Sequence, residues 1–323
     1  MSRSALRGIV GSLFIGLLLV AASPFAFAGN RTLLFSDSPE MVSQVGILYS
    51  DKVNGSARVF FHHANDSSEV RYLSVEVYNP GTEAVMLLQE RKGMGVSSDY
   101  LEAGKKAQAS YWKENQRTII LMPGERQWLY RPVQLAPGEL ANGMADWLTD
   151  GPVVVTVAMT TDANGARRDL PALATTDLPL RGTFPEADKV VLPNFHDKGG
   201  WEDLLLADGK QEKFLQGWDA QSKRTSINQG NYGVIYRIWL PSMPNPYTVS
   251  LSPQGGVFAG VVYVQRKDNQ NAYPVPGNRL YFGEKTTTDE AKVVNMEAGK
   301  SGWLFFSPPG ASNLPVIIRF AGK

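Results

Sequence analysis

The run Val153-Val-Val-Thr-Val-Ala-Met159 carries the clearest strand pattern in the first half of the chain. Successive side chains of a β-strand point to opposite faces, so one face of this run is wholly apolar: Val153, Val155, Val157 and Met159. The Asn164-Gly165 pair that follows is a typical hairpin-turn sequence. The run therefore predicts a buried strand followed by a tight turn.

A second run of the same kind, residues 232–240, dominates the other half of the chain. Its apolar face comprises Tyr232, Val234, Tyr236, Ile238 and Leu240. Five alternating apolar positions predict a central strand with that face in a core. The opposite face includes Arg237, and a substitution there is expected to be mild if the face is wet.

Shorter alternating runs separated by turn sequences fill most of the remaining chain. Asn79-Pro80-Gly81 and two Pro-Gly-Glu sequences, which begin at Pro123 and Pro137, each stand between such runs. One helix interrupts them, because Asp99 and Glu102 have capping-box spacing before a helical apolar pattern; we expect it over residues 99–115. The fold class predicted is mainly β, with two β-sandwich-like domains and one inserted α-helix in the first.

Changes in composition suggest where these domains begin and end. Residues 29–56 mix short apolar pieces with polar residues and are expected to form a lead-in segment with one strand. Residues 57–165 form the first β-rich domain and residues 189–323 the second. Residues 166–188 lack clear periodicity and are expected to link the two, although a long crossover within one domain stays open.

The first 28 residues have the pattern of a signal peptide. Arg3 and Arg7 precede an apolar run, and Ala26-Phe27-Ala28 closes it. The apolar part is shorter than the roughly 20 residues of a spanning helix, so we expect cleavage after Ala28 rather than an uncleaved anchor helix. The mature chain would then have no membrane span, because no second long apolar run follows.

Charge and cysteine content exclude several functional classes. The chain has 32 Lys and Arg against 31 Asp and Glu, and loss of the leader changes its formal net charge from +1 to −1. Such a balance gives no long-range attraction to nucleic acid, so no nucleic-acid partner is expected. The absence of cysteine rules out disulfides, thiol catalysis, thiolate metal sites and cysteine-attached haem. No cofactor is expected.

The three histidines raise the question of a metal site. His62 and His63 are adjacent, and His196 lies far along the chain. Neighbouring residues on a strand point to opposite faces, so only one of the pair could join His196 at one ion. We expect a structural role, with His63 packed inside or bonded to the turn that follows it; a metal site of His63 and His196 is the minority alternative.

Acidic residues offer no clear catalytic pattern. Glu202-Asp203 and the Asp208/Glu212 pair could be the two carboxylates of a glycosidase, but sequence spacing does not fix their separation in space. The sequence from Asp162 to Gly165 resembles the start of a calcium loop, yet no Glu stands at its twelfth position. A polar hairpin tip explains it better, and catalytic residues stay unknown.

Aromatic residues suggest a binding surface. Flat rings stack on the C–H surfaces of sugars, and the candidates for such a strip are Trp201, Trp218 and Trp239. The competing interpretation is that these rings belong to the cores of the sandwiches.

Three short segments stand out as a set: Arg58-Val-Phe-Phe-His-His-Ala-Asn65, Asn79-Pro-Gly81 and Gln229-Gly-Asn-Tyr-Gly-Val-Ile-Tyr236. Together they resemble uncharacterised exported bacterial envelope proteins, some of them fused to copper-amine-oxidase N-terminal-like modules. The resemblance implies export and residence in the envelope. It implies neither activity nor copper, since Asn231-Tyr232 precedes Gly233 and not the acidic residue of the oxidase's quinone-forming motif.

The sequence thus predicts an exported protein of the periplasm, cell surface or extracellular space. It would act without catalysis, by binding or scaffolding, with an envelope glycan or protein as partner. The alternative is a secreted carbohydrate-active enzyme or carbohydrate-binding protein. A concave site with convergent carboxylates would favour the enzyme.

Overall fold

A computed structural model describes residues 30–113, 115–165, 169–175, 180–193, 202–284 and 289–322. The predicted signal peptide and parts of the predicted linker lie outside these ranges. Within them the chain forms 22 strands and one helix. The mainly β class, with two sandwiches and a single helix in the first, is confirmed.

The elements follow each other along the chain with short connections. The first half contains β1 (Thr32–Ser36), β2 (Met41–Val42), β3 (Gly46–Val53), β4 (Ser56–Asn65), β5 (Arg71–Tyr78), β6 (Val85–Ser97), α1 (Tyr100–Tyr111), β7 (Arg117–Leu121), β8 (Arg126–Leu135), β9 (Leu140–Thr149) and β10 (Val153–Thr160). The second half contains β11 (Arg181–Phe184), β12 (Asp188–Val191), β13 (Glu202–Leu206), β14 (Gln216–Asp219), β15 (Arg224–Ile227), β16 (Ile235–Leu240), β17 (Tyr247–Pro253), β18 (Gly260–Arg266), β19 (Gln270–Val275), β20 (Ala291–Met296), β21 (Gly302–Phe306) and β22 (Val316–Gly322).

The first sandwich packs a nine-stranded sheet on a four-stranded one. The larger sheet has the order β15-β14-β11-β1-β4-β9-β6-β7, with β2 beside β4, and the smaller has the order β3-β10-β5-β8. The predicted strand at residues 153–159 is β10, in the interior of the smaller sheet. Its Val153, Val155, Val157 and Met159 are buried in the core between the two sheets, as the alternation indicated.

The second sandwich packs a five-stranded sheet, β12-β16-β21-β18-β19, on a four-stranded one, β13-β22-β17-β20. The predicted strand at 232–240 begins only at Ile235, because a turn precedes it in which Val234 N–H donates to Asn231 O. Val234, Tyr236, Ile238 and Leu240 lie in the core, in agreement with four of the five positions of the predicted face. Tyr232 precedes the strand and packs instead, partly buried, against a separate apolar cluster that includes Phe60.

The pairing of strands crosses the predicted domain boundary. β11 lies inside the predicted linker, yet it pairs with β1, and β14 and β15 of the predicted second domain extend the same sheet. A fully buried ion pair between Arg181 of β11 and Asp219 of β14, with Nε and Oδ2 3.0 Å apart, ties this extension together. Residues 166–188 therefore do not mark a break in the sheet.

The N-terminal segment also contributes more than the single strand expected for residues 29–56. It supplies β1, β2 and β3, and β1 runs parallel to β4 inside the nine-stranded sheet. Leu34 faces the first core, whereas Leu33 and Phe35 face the opposite side of the sheet. This strand is apolar on both sides because both sides are covered.

Helix α1 begins as predicted and ends earlier. The Asp99 carboxylate accepts the Glu102 N–H at 3.0 Å, which is an N-cap bond. The helix stops at Tyr111, not at residue 115, and Trp112 leaves it to stack on Tyr263 of the second sandwich with ring centroids 5.1 Å apart. Of the described helices, none has the length and apolar character needed to cross a lipid bilayer.

The two sandwiches meet through a third apolar cluster, which we call the junction. It lies between the outer faces of the nine-stranded and five-stranded sheets and includes the end of α1; its buried members are Leu33, Phe35, Phe60, Tyr111, Trp112, Met144, Phe184, Ala187, Ile235, Val261, Tyr263 and Phe305. The outer face of β16 therefore packs against the first sandwich, and Arg237 is half-buried with its guanidinium 5.0 Å from the Trp303 ring. The face of β16 that carries Arg237 is therefore only partly exposed to solvent.

A buried ionic network fixes the junction. Arg58 of β4 donates to both Asp146 oxygens, at 2.7 and 2.9 Å, and to Asp188 at 2.7 Å. Arg31 and the Tyr111 hydroxyl also reach Asp146, at 3.1 and 2.8 Å. Burial opposes ionisation of Asp146, but the two arginines outweigh it and lower the pKa of Asp146 to about 2. Residues of both sandwiches therefore contribute to a single charged cluster.

Candidate functional site

A cleft of about 660 Å³ opens at one side of the first sandwich. It lies beside the start of β7, where β6 extends beyond its pairing with β7, and the edge strand β8 borders it. The lining residues come from β6, the end of α1, the start of β7 and β8: Gln89, Lys92, Gly93, Met94, Ser110, Asn115, Arg117, Gln127, Trp128, Leu129, Tyr130, Arg131, Pro132 and Val133. We call it the cationic cleft because lysine and arginine side chains line it.

Among the described residues that line this cleft, three are cations and none is an aspartate or glutamate. Arg117 and Arg131 are exposed, and neither forms an ion pair within the part of the chain that the structure describes. Partial burial, followed by repulsion from Arg117 and Arg131, lowers the pKa of Lys92. The three positive charges therefore repel one another, and a bound anion would reduce this repulsion.

A bulge in β6 brings Lys92 into the cleft. The register of β6 against β9 shifts between Gln89 and Arg91, so the side-chain alternation reverses there. Arg91 consequently lies over the Trp112 ring at the junction, at 5.3 Å, and Lys92 lies over the Tyr130 ring on the inner side, at 4.5 Å. Lys92 Nζ also donates to the Leu129 carbonyl of β8.

An aromatic ring forms part of the cleft wall. Trp128 of β8 is half-buried and stands next to Pro132. The backbone of Gly165 packs against both, since a Cβ there would approach the Trp128 ring to 2.7 Å and the Pro132 ring to 2.8 Å. Gly165 has φ +64°, which also favours glycine. One edge of the indole thus lies against the backbone of Gly165.

Amide side chains complete the polar lining. Gln89 donates to the Asn115 carbonyl at 2.8 Å, and Gln127 donates to the Glu125 carboxylate at 2.8 Å. Within the described chain, the side-chain oxygens of these two glutamines accept no hydrogen bond. The cleft thus combines cations, amide acceptors and an aromatic wall.

The predicted carboxylates lie elsewhere and are engaged in structural bonds. Asp203 and Glu212 line a second groove of about 540 Å³ between β12 and β13. Arg319 donates to both Asp203 oxygens at 2.8 Å, and Glu212 accepts from Tyr236, Asn231, Lys189 and the Ala207 N–H. Asp208 accepts three backbone N–H groups of its own turn. These bonds occupy the oxygens that a glycosidase would need.

The predicted tryptophan strip is not assembled from the described residues. Trp218 is exposed on β14 of the nine-stranded sheet, whereas Trp239 is half-buried on β16 of the five-stranded sheet. The Trp239 ring packs edge-on against Trp303, with centroids 4.8 Å apart. Trp201 lies outside the described residues. Among the described tryptophans, Trp128 lines the cationic cleft, and the sequence did not single it out.

The histidine pair is buried in β4, and its side chains diverge. His63 is held by Ser36 Oγ at its Nε2 and by the Pro39 carbonyl at its Nδ1, both at 2.8 Å. A carbonyl only accepts, so Nδ1 carries the proton and Nε2 accepts from Ser36. Both ring nitrogens are therefore engaged, with partners other than the following turn. His196, the second member of the alternative metal site, lies outside the described residues.

Acid should weaken the fold through His63. Burial lowers the pKa of His63 to about 4, so the folded protein keeps it neutral while the unfolded chain takes up a proton below about 6.5. The stability that this provides is fully present above pH 6.5 and is lost as the pH falls towards 4. Between pH 8 and pH 5 the loss from His63 is about 2 kcal/mol.

The measurement is urea unfolding at both pH values for the wild type and His63→Asn. Asparagine retains a donor for the Pro39 carbonyl and does not titrate. The variant should lose about 2 kcal/mol less than the wild type. Asp37, whose pKa burial raises, acts in the opposite direction and cancels in the comparison. Equal losses in the two proteins would contradict the assignment.

The sequence from Asp162 to Gly165 forms a polar turn. Gly165 N–H donates to the Asp162 carbonyl at 2.9 Å, and Asn164 N–H donates to the Asp162 carboxylate at 2.7 Å. The carboxylate thus stabilises its own turn. This agrees with the interpretation as a polar hairpin tip, and the turn places Gly165 against the edge of the Trp128 ring.

The residues that carried the family resemblance have structural roles. Asn65 donates to the Leu135 carbonyl and Asn79 to the Leu121 carbonyl, both at 2.9 Å, and each also accepts a backbone N–H of the turn that follows it. Asn231 adopts φ +51° and donates to the Tyr236 hydroxyl at 3.0 Å. These motifs hold turns together and do not line the cationic cleft.

Comparisons with known proteins leave the family open. No protein-family model matches the chain, and no curated protein matches it. Similar solved structures include the CUB1-EGF-CUB2 domains of rat MASP-1, with 7% identity over 87% of this chain and 99% of that one, at a TM-score of 0.20. Another is the CBM22-1–CBM22-2 tandem domain of Paenibacillus barcinonensis Xyn10C, with 10% identity over 90% and 98% of the chains, at 0.17. Such low scores carry no argument, and the resemblance to exported envelope proteins stays a prediction.

Proposed function

We propose that this chain is an exported, non-catalytic binding protein of the bacterial cell envelope that captures an anionic ligand in the cationic cleft. The observation that carries the proposal is the grouping of Lys92, Arg117 and Arg131 on one cleft, whose described lining residues include no carboxylate. A guanidinium presents paired N–H donors that match carboxylate and phosphate oxygens.

The electrostatics of the whole chain make this local charge informative. Acidic and basic residues nearly balance over the sequence, so an unbalanced group of cations is a local feature. These cations form no ion pair with the residues that the structure describes, so their charges repel each other and a bound anion would reduce that repulsion. The signal-peptide pattern of residues 1–28 supports export, and the ligand would then be met in the envelope.

The test is the affinity of the mature protein, residues 29–323, for two polyanions, polyphosphate and oligogalacturonate, by isothermal titration calorimetry at low salt. We expect both to bind and the double variant Arg117→Gln/Arg131→Gln to lose at least about tenfold in affinity for each, because two charge-assisted contacts disappear. Added salt should reduce the affinity of the wild type more than that of the variant.

A charge-matched control is available on the second sandwich. Lys267 and Lys300 are exposed and lie outside the cationic cleft. The variant Lys267→Gln/Lys300→Gln removes the same formal charge and should leave both affinities within about twofold of the wild type. Equal losses in the two double variants would show that only net charge matters and would contradict a cleft-specific function.

A further inference from the structure

We propose that Lys92 is a covalent capture site of the cationic cleft, whose amine forms a reversible imine with a small organic anion that carries an aldehyde group and docks on Arg117 and Arg131. This inference rests on the proposed anion-binding function and specifies the class of ligand. It follows from the position of the lysine, from the two groups that hold its amine and from the charges beside it.

Lys92 is the one lysine among the described residues that line the cleft. It is half-buried, and the bulge between Gln89 and Arg91 turns it to the inner side of β6. The cleft volume of about 660 Å³ is in the range of sites for small organic molecules. A ligand in the cleft can therefore lie beside the Lys92 amine.

Two electron-rich groups hold this amine. Lys92 Nζ donates to the Leu129 carbonyl oxygen and lies 4.5 Å from the centroid of the Tyr130 ring. A carbonyl oxygen and a ring face both attract N–H groups and offer nothing to a lone pair. A neutral amine can therefore keep its two N–H groups on these partners, and its lone pair is left for a third one.

The surroundings of Lys92 favour the neutral amine, which is the form that attacks a carbonyl carbon. Partial burial lowers the pKa of Lys92, and repulsion from Arg117 and Arg131 lowers it further. Burial, the larger cause, persists when an anion occupies the cleft. The same two guanidinium groups attract anions, so they raise the local concentration of a negatively charged aldehyde.

The capture step needs no oxidant, reductant or cofactor. The amine lone pair attacks the aldehyde carbon and forms a C–N bond, and the carbonyl oxygen leaves as water with both hydrogens of the neutral amine. Hydrolysis of the imine reverses the step and releases the aldehyde unchanged. The step therefore suits a protein that binds its ligand without converting it.

Lys105 of α1 provides a matched lysine in the same chain. It is also half-buried, its Nζ donates to the Gly277 and Arg279 carbonyls at 3.2 and 3.0 Å, and burial lowers its pKa. Lys105 does not line the cationic cleft. A general effect of burial would act on both lysines, whereas docking of an anion in the cleft would act on Lys92.

The experiment labels the mature protein, residues 29–323, at pH 7 with glyoxylate or with glycolaldehyde. Cyanoborohydride is present and reduces each imine to a stable amine, and peptide mass spectrometry measures the extent of labelling at each lysine. The two aldehydes are similar in size, but glyoxylate is an anion and glycolaldehyde is neutral. We expect the ratio of glyoxylate to glycolaldehyde labelling to be at least about fivefold higher at Lys92 than at Lys105.

The arginine variant tests the origin of this preference. Arg117→Gln/Arg131→Gln should lower the ratio at Lys92 at least about threefold. Any accompanying change in the pKa of Lys92 affects both labels equally and cancels in the ratio. Lys267→Gln/Lys300→Gln removes the same formal charge outside the cleft and should leave the ratio unchanged. Thermal melting of each variant confirms that it is folded.

The outcomes separate this inference from the proposed function. Equal ratios at Lys92 and Lys105 in the wild type would overturn covalent capture, while anion binding would stand if polyphosphate binding still depends on Arg117 and Arg131. A preference at Lys92 that persists in the arginine variant would also overturn the inference, because these side chains would then not dock the anion. Binding of neither polyphosphate nor oligogalacturonate would overturn the proposed function itself.

Discussion

Replacing Asp146 with Asn is expected to lower the free energy of unfolding by about 3 kcal/mol, because buried Arg58 loses both hydrogen bonds to this carboxylate and keeps only Asp188 as an acidic partner. Asp146 is 1% exposed, accepts hydrogen bonds from Arg58 and Tyr111, and forms an ion pair with Arg31, whose Nε lies 3.1 Å away. The side chains of both arginines are at most 3% exposed, so water cannot replace the lost carboxylate. Urea unfolding of the mature chain at pH 7 measures the effect.

Asp203→Asn is the matched control. Arg319 also donates two hydrogen bonds to Asp203, but the two side chains are 28% and 40% exposed. Exposed ion pairs contribute little, so this variant should lose no more than about 1 kcal/mol. The two Arg–Asp pairs have the same bidentate geometry and differ in exposure, so the comparison measures the effect of burial. Similar losses at Asp146 and Asp203 would contradict a junction held by its ionic network.

Gly93→Ala is expected to cost about 3 kcal/mol or more, because the new methyl group would collide with the backbone of α1. A Cβ at Gly93 would lie 2.2 Å from both the Ala107 carbonyl oxygen and the Tyr111 nitrogen. Neither atom can turn away as a side chain could, so the helix must move off β6. Tyr111 and Trp112 of the junction would move with it. Thermal and urea unfolding of the mature chain measure the cost.

Gly322 provides the control for this substitution. It lies at the end of β22, and a Cβ there would meet no atom within 4 Å. Gly322→Ala should therefore change stability by no more than about 0.5 kcal/mol. A similarly small change at Gly93 would show that α1 does not rest directly on β6.

Sequence periodicity and capping residues predicted those elements whose pattern lies within one strand or one helix. The alternation at residues 153–159 identified β10, and the spacing of Asp99 and Glu102 identified the start of α1. These signals succeed because one strand or one helix turn contains all the residues that produce them. The alternation at 232–240 identified the core face of β16 in the same way.

The sequence of a strand does not show which element packs against its second face. Period two placed Arg237 opposite the core, and only the packing of two sheets shows that this side meets the first sandwich. Likewise, β11 lies in a stretch without periodicity, because its four residues are too few to show one. Pairing across the chain determines such elements.

The cationic cleft was hidden for two further reasons. Its cations come from three successive strands, β6, β7 and β8, so no single short motif contains them together. In addition, the bulge between Gln89 and Arg91 reverses the alternation of β6, so simple counting would exchange the sides of Arg91 and Lys92. The turn at Asn164-Gly165 was predicted, but its contact with Trp128 depends on tertiary packing.

Hydrogen–deuterium exchange of the mature protein, with and without saturating oligogalacturonate, tests most directly whether the cationic cleft is the binding site. Protection should appear in peptides that cover residues 89–94 and 127–133, which line the cleft from two sides. Peptides from the second sandwich, including 202–212, should exchange at the same rate in both samples. Protection of residues 202–212 with none at 89–94 and 127–133 would contradict the account.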